Sequence, residues 1–281
     1  MSFIIKKASK KAKKLRILFS ASSGSGKTMS SLLCAYGLVG DWNKICVIDT
    51  ERESSAIYSD IGDTEFNVIP LNAPYTPERY IEAIKTAEKA GMEAIIIDSI
   101  THEWAGEGGC LEIHSKLGGT FQDWGSVTPR HNKFINAILT STAHVFCTVR
   151  RKEEYSITQN STGKMSVQKM GLGEVTRDGF NYEMDTVFEI TNHNHLANVT
   201  KDRTRLFVDV PDFLISAETG KLFKNWAEKG RNEIDDALDA IRNAKDLNDL
   251  TSVRTAYINS LQNNEDFITA LKVKRSEFET K

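Results

Sequence analysis

The sequence predicts an α/β protein in which helices flank a mostly parallel sheet, with an antiparallel hairpin late in the core and a small helical appendage after it. Short apolar runs alternate with amphipathic helical patterns along the 281-residue chain, which is typical of parallel strands joined by crossover helices. The β-branched runs are continuous, as expected for strands that are covered on both faces.

The individual elements can be placed in chain order from these patterns. Strands are predicted at Leu15–Phe19, Ile45–Asp49, Phe66–Leu71, Ala94–Asp98 and His144–Thr148. Helices are predicted at Lys27–Leu38, Thr76–Lys89 and Pro129–Thr142. Further on, Val187–Ile190 and Leu196–Lys201 flank a polar turn, which predicts a hairpin that extends the sheet.

Gly230 divides the chain into two predicted domains. Residues 1–230 form the core with a basic N-terminal arm, and residues 231–281 form the helical appendage, where apolar residues recur at helical spacing. The arm, MSFIIKKASKKAKKLR, carries seven basic residues and no acid, so it fits a solvated tail or a polyanion contact. The appendage has ten acidic and eight basic residues, which leaves end-capping, oligomer contacts and partner docking open.

The composition is that of a globular protein, with 40% hydrophobic and 26% charged residues and a formal net charge of -2. Any polyanion would therefore need a local basic patch. The cysteines are scattered in apolar stretches without a C-x-x-C pair, which predicts buried, reduced thiols and argues against a disulfide framework or a zinc site. No stretch has the length of a membrane span or a signal-peptide core, so we expect a cytoplasmic protein without a membrane partner.

The segment after the first strand predicts a phosphate-binding loop. It reads S-A-S-S-G-S-G-K-T and leads into a helical pattern, which matches G-x-x-x-x-G-K-[ST] with alanine at the first glycine position. In such a turn, successive backbone N–H groups face the phosphates of ATP. Lys27 supplies a cation to the β- and γ-phosphates, and Thr28 offers a hydroxyl to Mg²⁺. The predicted nucleotide-binding residues are Ala21, Ser22, Ser23, Gly24, Ser25, Gly26, Lys27 and Thr28.

A carboxylate at the end of a neighbouring strand completes the predicted magnesium site. Ala94–Asp98 is an apolar run that ends in an acid, and ligands bind at the carboxyl edge of open parallel sheets. Asp98 is therefore predicted to hold the Mg²⁺ shell together with Thr28.

Two further motifs give the chain a family resemblance. The strand Ile45–Asp49 leads into Thr50-Glu51, and Lys201-Asp202-Arg203 sits on the predicted hairpin. With the phosphate loop and Asp98, these motifs resemble the RecA-type ATPase family over roughly residues 12–228. The resemblance is closer still to the phage-encoded RecA-like recombination ATPases of the Sak type.

The resemblance implies roles for particular residues. Glu51 would act as general base or water positioner, with Glu103 as a nearby competitor. Lys201 and Arg203 would reach the γ-phosphate of a neighbouring subunit in a ring or filament, which requires a homo-oligomer. Thr148 would sense the γ-phosphate at the end of a switch strand, where the family's glutamine is missing and Arg150 is a second candidate.

The resemblance also implies a nucleic-acid segment at Arg151–Gly179. This stretch lacks clear periodicity and is therefore either functional or disordered, and a mildly basic loop with an aromatic residue can track a single strand. The predicted contacts are Arg150, Arg151, Lys152, Tyr155, Lys164, Lys169 and Arg177. The stretch Thr101–Thr128, with two tryptophans, is an alternative lining. His193 and His195 are interpreted as turn histidines, since no third metal ligand is evident.

The sequence therefore predicts a Mg-dependent ATPase that acts on single-stranded DNA in recombination or strand annealing, in the host cytoplasm if phage-encoded. A single-strand-binding protein or another recombination protein is a further expected partner. Two alternatives stay open. One is a nucleotide-gated protein-binding module with little turnover, and the other is a small-molecule phosphotransferase, for which no compact arginine-rich lid is evident.

Overall fold

The computed structural model describes residues 13–159, 165–191, 194–228 and 233–279, and the side chains of residues 153–171, 233 and 235 lie outside that description. The chain forms two compact units, one of residues 14–224 and one that contains residues 225–281. The division falls after residue 224, a few positions before the predicted boundary at Gly230. The basic arm, residues 1–12, lies outside the described residues.

The strands of the first unit form a mixed sheet. They are β1 (Arg16–Ala21), β2 (Ile45–Asp49), β3 (Asn67–Pro70), β4 (Ala94–Asp98), β5 (His144–Gln159), β6 (Met165–Glu174), β7 (Thr186–Ile190), β8 (Leu196–Asp202) and β9 (Phe213–Leu214). Their order across the sheet is β3-β2-β4-β5-β1-β7-β8-β9, and β6 pairs with β5 alone. In this order across the sheet, every neighbouring pair from β3 through β2, β4, β5 and β1 to β7 is parallel. The pairs β7–β8 and β8–β9 are antiparallel.

The helices connect these strands or follow them. They are α1 (Lys27–Val39), α2 (Pro77–Lys89), α3 (Thr101–Ala105), α4 (Cys110–Lys116), α5 (Trp124–Thr140), α6 (Phe180–Glu183), α7 (Ala217–Glu228), α8 (Glu233–Asn243), α9 (Leu247–Leu261) and α10 (Glu265–Glu279). Across the described residues, no helix combines the length and the apolar content needed to traverse a lipid bilayer.

The centre of the sheet is fully buried. Every residue of β1, β2 and β4 is buried, as the continuous apolar runs predict. One face packs against α2 and α5, where Tyr80 and Phe134 join a cluster with Ile48 and Ile97. The predicted fold class, a mostly parallel sheet flanked by helices with a late antiparallel hairpin, is confirmed. The four cysteines are free and buried, also as predicted.

Two stretches predicted as loops have regular structure instead. Within Arg151–Gly179, β5 runs on beyond the sheet and pairs antiparallel with β6, so the segment forms a two-stranded ribbon. The polar composition of the segment hides these strands from the sequence pattern. In the ribbon, the backbone N–H and C=O groups of each strand pair with the other strand and not with the core. Thr101–Thr128 holds α3, α4 and the start of α5. The first two helices have 5 and 7 residues, too few for a periodic apolar pattern.

The second unit is a small helical bundle with its own apolar core. Residues from α8, α9 and α10 pack together, with Ala237 and Phe267 wholly inaccessible. Asp246 caps α9, since its carboxylate accepts a hydrogen bond of 2.8 Å from the backbone N–H of Asp249. The predicted amphipathic helices are therefore present in this part of the chain.

Candidate nucleotide-binding site

The loop between β1 and α1 has the backbone of a phosphate cradle. Gly24 and Gly26 have φ angles of 76° and 85°, a left-handed conformation that favours glycine. A Cβ atom at Gly24 would meet nothing within 4 Å, so the conformation and not crowding selects glycine there. The sharp turn places the start of α1 at the carboxyl edge of the sheet, where its N–H groups attract anions.

Lys27 lies inside this cradle. Its side chain reaches back so that Nζ donates a hydrogen bond of 2.8 Å to the carbonyl oxygen of Ser22. The residue is only 9% exposed, and burial lowers the pKa of Lys27, although Asp98 and Glu51 act in the opposite direction. A desolvated cation next to the backbone N–H groups of the loop fits the phosphates of a nucleotide.

Asp98 joins the phosphate loop to the neighbouring strand β5. Its Oδ2 accepts a hydrogen bond of 2.5 Å from Thr28 Oγ1, and its Oδ1 accepts one of 2.6 Å from Thr148 Oγ1. Burial raises the pKa of Asp98, whereas the two hydroxyl groups lower it. The predicted metal residues and the predicted sensor are thus in direct contact. A carboxylate and a hydroxyl group are hard oxygen donors of the kind that Mg²⁺ takes.

The two acids at the end of β2 face different partners. Asp49 accepts hydrogen bonds from the backbone N–H groups of Glu51 and Ser55, at 2.7 and 2.9 Å, and so shapes the turn that carries Glu51. Thr50 ties this turn to the end of β4, since its hydroxyl accepts a hydrogen bond of 2.9 Å from Ser99 N. Asp49 therefore has a structural role, and Glu51 is the acid that enters the cleft.

Glu51 is held at the cleft by two side chains. Ser99 Oγ donates to Glu51 Oε1 over 3.2 Å, and Arg150 contacts both carboxylate oxygens. Its competitor Glu103 is 0% exposed and is bonded to Cys110 and His131. Of these two carboxylates, Glu51 is the one that lines the cleft with Lys27.

The cleft that these residues surround has a volume of about 730 Å³. Its lining comprises Ser23, Gly24, Gly26, Lys27, Thr28, Met29, Ser30, Glu51, Ser54, Tyr58, Asp98, Arg150, His195, Leu214, Ile215 and Ser216. The lining combines charged side chains, such as Lys27 and Asp98, with apolar ones, such as Leu214 and Ile215, as a nucleotide with a triphosphate and a base requires.

His195 lines this cleft, a position that the sequence pattern did not assign to it. A Cβ atom on Gly26 would lie 3.3 Å from His195 Nδ1, so the imidazole stands directly over the phosphate loop. The strand order indicates this position. β7 is parallel to β1 and next to it, so the turn after β7 emerges at the same edge of the sheet as the phosphate loop after β1. The interpretation of His195 as an ordinary turn residue misses this contact.

Lys201 and Arg203 lie together, and neither is among the residues that line the cleft. Lys201 Nζ donates to the carbonyl oxygens of Asn181, at 2.9 Å, and Tyr182, at 2.5 Å. Arg203 Nη2 donates to the same Tyr182 oxygen over 2.9 Å. The two cations therefore converge as strand alternation predicts, and they do not line the cleft of their own chain.

The predicted nucleic-acid residues are dispersed. Arg150 points into the cleft and binds Glu51, so its guanidinium belongs to the nucleotide site. Arg151 forms an ion pair with Glu189 beside β7, and Lys152 is exposed. Arg177 is partly buried after β6. The side chains of Tyr155 and Lys169 lie outside the description, and so does all of Lys164.

The tryptophans of the alternative lining pack against each other. Trp104 and Trp124 stack with ring centroids 5.6 Å apart, and His114 stacks on Trp124 at 4.1 Å. They border an open groove that Phe121 and Arg177 also line.

Comparison with known proteins agrees with this geometry. A family model described as an AAA domain matches residues 13–208, which is more than half of the chain. The matched span begins just before β1 and runs past the end of β8, and it includes the phosphate loop, Glu51, Asp98 and Thr148. No curated protein matches the chain.

Proposed function

Because the chain belongs to the AAA-domain family of nucleotide-binding ATPases, we propose that it hydrolyses Mg-ATP and couples hydrolysis to single-stranded DNA in recombination or strand annealing. The closer likeness to phage proteins of the Sak type is part of this proposal. One observation carries the hydrolysis proposal. Lys27, Asp98 and Glu51 converge on one cleft although they come from three separate segments of the chain.

The residues of the cleft would have separate roles in ATP hydrolysis. When bound, Mg-ATP supplies the phosphoryl group that water attacks and the cation that neutralises it. The loop amides and Lys27 hold negative charge, and Thr28 with Asp98 presents oxygen donors to the metal. Thr148 fixes the orientation of Asp98 through its 2.6 Å hydrogen bond. Glu51 offers a carboxylate oxygen that can orient a water molecule and accept its proton.

Single-stranded DNA is proposed as the partner because of how β5 continues. The strand that carries Thr148 and Arg150 runs on without a break into the ribbon, whose backbone includes four of the predicted DNA-binding residues, Arg151, Lys152, Tyr155 and Lys169. A strand held at Asp98 and Glu51 transmits any shift of either contact along its own backbone. The ribbon would therefore change position with the state of the cleft.

A homo-oligomer is proposed because Lys201 and Arg203 form one cationic pair away from their own cleft. Transition-state charge on a transferred phosphoryl group is stabilised by cations of this kind. In a ring or filament, the pair would serve the neighbouring subunit.

Turnover measured with and without single-stranded DNA over a salt series tests the proposal. We expect single-stranded DNA to stimulate turnover, and the stimulation to weaken with salt, since phosphate contacts release counterions. Duplex DNA of the same sequence and the Lys27→Ala variant serve as controls. ATP turnover without stimulation at any salt concentration would leave the ATPase intact and exclude the DNA partner.

A nucleotide-gated protein-binding module is the second candidate, because Arg150 occupies both oxygens of the Glu51 carboxylate. A general base whose two oxygens are already bound favours slow turnover. Nucleotide binding in the cleft would then control the docking of a protein partner. Mg-ATP binding in calorimetry with turnover insensitive to single-stranded DNA would support the gate.

A further inference from the structure

Outside the nucleotide cleft, three side chains that can each act as a metal ligand meet in the protein interior. They are Glu103 on α3, Cys110 on α4 and His131 on α5, which are 0%, 0% and 4% exposed. Cys110 Sγ lies 3.1 Å from Glu103 Oε1, and His131 Nδ1 lies 3.0 Å from each carboxylate oxygen. All the ligand atoms of this cluster lie within 4.8 Å of one another.

The charges around this cluster are few. Within the described residues, the basic side chain in contact with Glu103 is His131, which carries a charge only when protonated, and the nearby Arg130 binds the exposed Glu78 instead. A carboxylate taken out of water is costly unless a full counter-charge lies next to it. Burial raises the pKa of the Cys110 thiol.

We propose that Glu103, Cys110 and His131 bind a zinc ion. The set offers a thiolate sulfur, an imidazole nitrogen and a carboxylate oxygen, which makes three protein donors and leaves the fourth position of a tetrahedral ion to a water molecule. A thiolate and a carboxylate neutralise a divalent cation, so the loaded site carries no net charge. Mixed sulfur, nitrogen and oxygen donors of this kind suit zinc.

Little movement is needed to admit the ion. Ligand atoms of a tetrahedral zinc site lie about 3.3 to 3.6 Å apart, given bonds of about 2.0 to 2.3 Å. The contacts of 3.0 and 3.1 Å in the cluster would therefore lengthen by roughly half an ångström. Binding releases the thiol proton of Cys110 to solvent. His131 would bind the ion as a neutral imidazole with its hydrogen on Nε2, so a protonated ring would also release its Nδ1 proton to solvent.

The ion would hold together the short helices that follow β4. α3 and α4 have 5 and 7 residues, lengths at which a helix is not stable by itself. α3 begins at Thr101, whose hydroxyl oxygen accepts a hydrogen bond of 2.9 Å from Arg150 N. The zinc site would thus brace the segment next to Arg150. This inference stands independently of the proposed DNA function.

Metal analysis of the purified full chain tests the site. We expect one zinc ion per chain after growth with zinc and extensive dialysis. Cys110→Ala and His131→Gln should lose it, whereas Cys34→Ala should keep it, since Cys34 is an equally buried thiol on α1. Equal zinc content in Cys110→Ala and Cys34→Ala would refute the assignment.

Cobalt substitution gives a second readout that does not depend on the variants folding. Cobalt added to chelator-treated wild-type protein should give a thiolate charge-transfer band and the visible bands of tetrahedral coordination. Zinc should also raise the melting temperature of the wild type, because a ligand of the folded state stabilises it. A folded wild type that takes up neither ion in excess would overturn the proposal.

Discussion

Arg150 holds Glu51 by a two-point ion pair inside the nucleotide cleft. Arg150 Nε donates to Oε1 over 2.9 Å, and Nη2 contacts Oε2. The arginine stands where β5 leaves the sheet for the ribbon, and the glutamate ends the turn after β2. A carboxylate with both oxygens engaged accepts a proton from water less readily, so the pair restrains the proposed base.

Removal of the arginine should therefore release the base. We predict that Arg150→Ala raises turnover without DNA by up to about fivefold, since a partly exposed ion pair is worth up to about 1 kcal/mol. The measurement is steady-state ATP hydrolysis. Arg130→Ala is the matched control, because it removes an arginine–glutamate pair on the protein surface. A fall in turnover would mean that Arg150 acts on the phosphates and not as a restraint.

Glu51→Gln should separate binding from turnover. The amide keeps the size of the side chain but cannot accept a proton, so we expect turnover to fall by about 10² to 10⁴. Calorimetry should show that Mg-ATP still binds, since Lys27, Thr28 and Asp98 are unchanged. The exposed neighbour Glu53 provides the control, and Glu53→Gln should behave as wild type. Normal hydrolysis by Glu51→Gln would remove Glu51 from the proposed role.

The local parts of this site follow from sequence pattern. Ile45–Asp49 and Ala94–Asp98 are strands within their predicted bounds, because a short run of β-branched residues buried on both faces leaves few alternatives. The phosphate loop is equally local, since its glycines and Lys27 lie within one turn. These motifs carry their geometry in adjacent residues.

The remaining parts depend on contacts between distant residues. Glu51 and Arg150 are 99 positions apart, and neither residue type predicts the other. The sequence pattern presents Cys110 as an isolated buried thiol, because helix packing and not spacing brings it to Glu103 and His131. His195 likewise reaches Gly26 through the order of strands in the sheet.

Thr148→Val should weaken the magnesium site. Valine keeps the shape of threonine but removes the 2.6 Å hydrogen bond to the buried Asp98 carboxylate. We expect a stability loss of about 2 kcal/mol, the cost of a hydrogen bond to a charged group. Turnover should also need more magnesium, since Asp98 loses one of its two orienting hydroxyls. A magnesium titration and urea unfolding measure both effects.

The control for this prediction is Thr140→Val at the end of α5. Its hydroxyl donates to the carbonyl oxygen of Asn136 on an exposed surface, so the magnesium requirement should stay at the wild-type value. Equal magnesium requirements in the two variants would show that Thr148 does not influence the metal site.

Mixing of two inactive variants tests the proposed action between subunits. Lys27→Ala removes the cradle cation, and the double variant Lys201→Ala, Arg203→Ala removes the second cationic pair. If the pair serves a neighbouring cleft, a mixture should regain turnover, because some interfaces combine an intact cleft with an intact pair. Each variant is assayed alone at the same total concentration as the control. A mixture no more active than its components would place the pair outside catalysis.

His144 should make the stability of the protein fall in mild acid. Leu15 N donates a hydrogen bond of 3.1 Å to His144 Nδ1, and burial lowers the pKa of His144 from 6.5 to about 3. Between these values the unfolded chain binds a proton that the folded chain does not, so the free energy of unfolding decreases as the pH falls below 6.5. The expected loss is about 2 kcal/mol at pH 5.

Urea unfolding at neutral pH and at about pH 5, followed by tryptophan fluorescence, measures this loss. His144→Asn is the informative variant, because its side-chain oxygen can accept the Leu15 N–H hydrogen bond but does not titrate over this range. The variant should lose less stability than the wild type over the same interval. If the wild type and the variant lose equal unfolding free energy between neutral pH and about pH 5, proton uptake by His144 on unfolding does not cause the loss. The acid sensitivity would then belong to other groups.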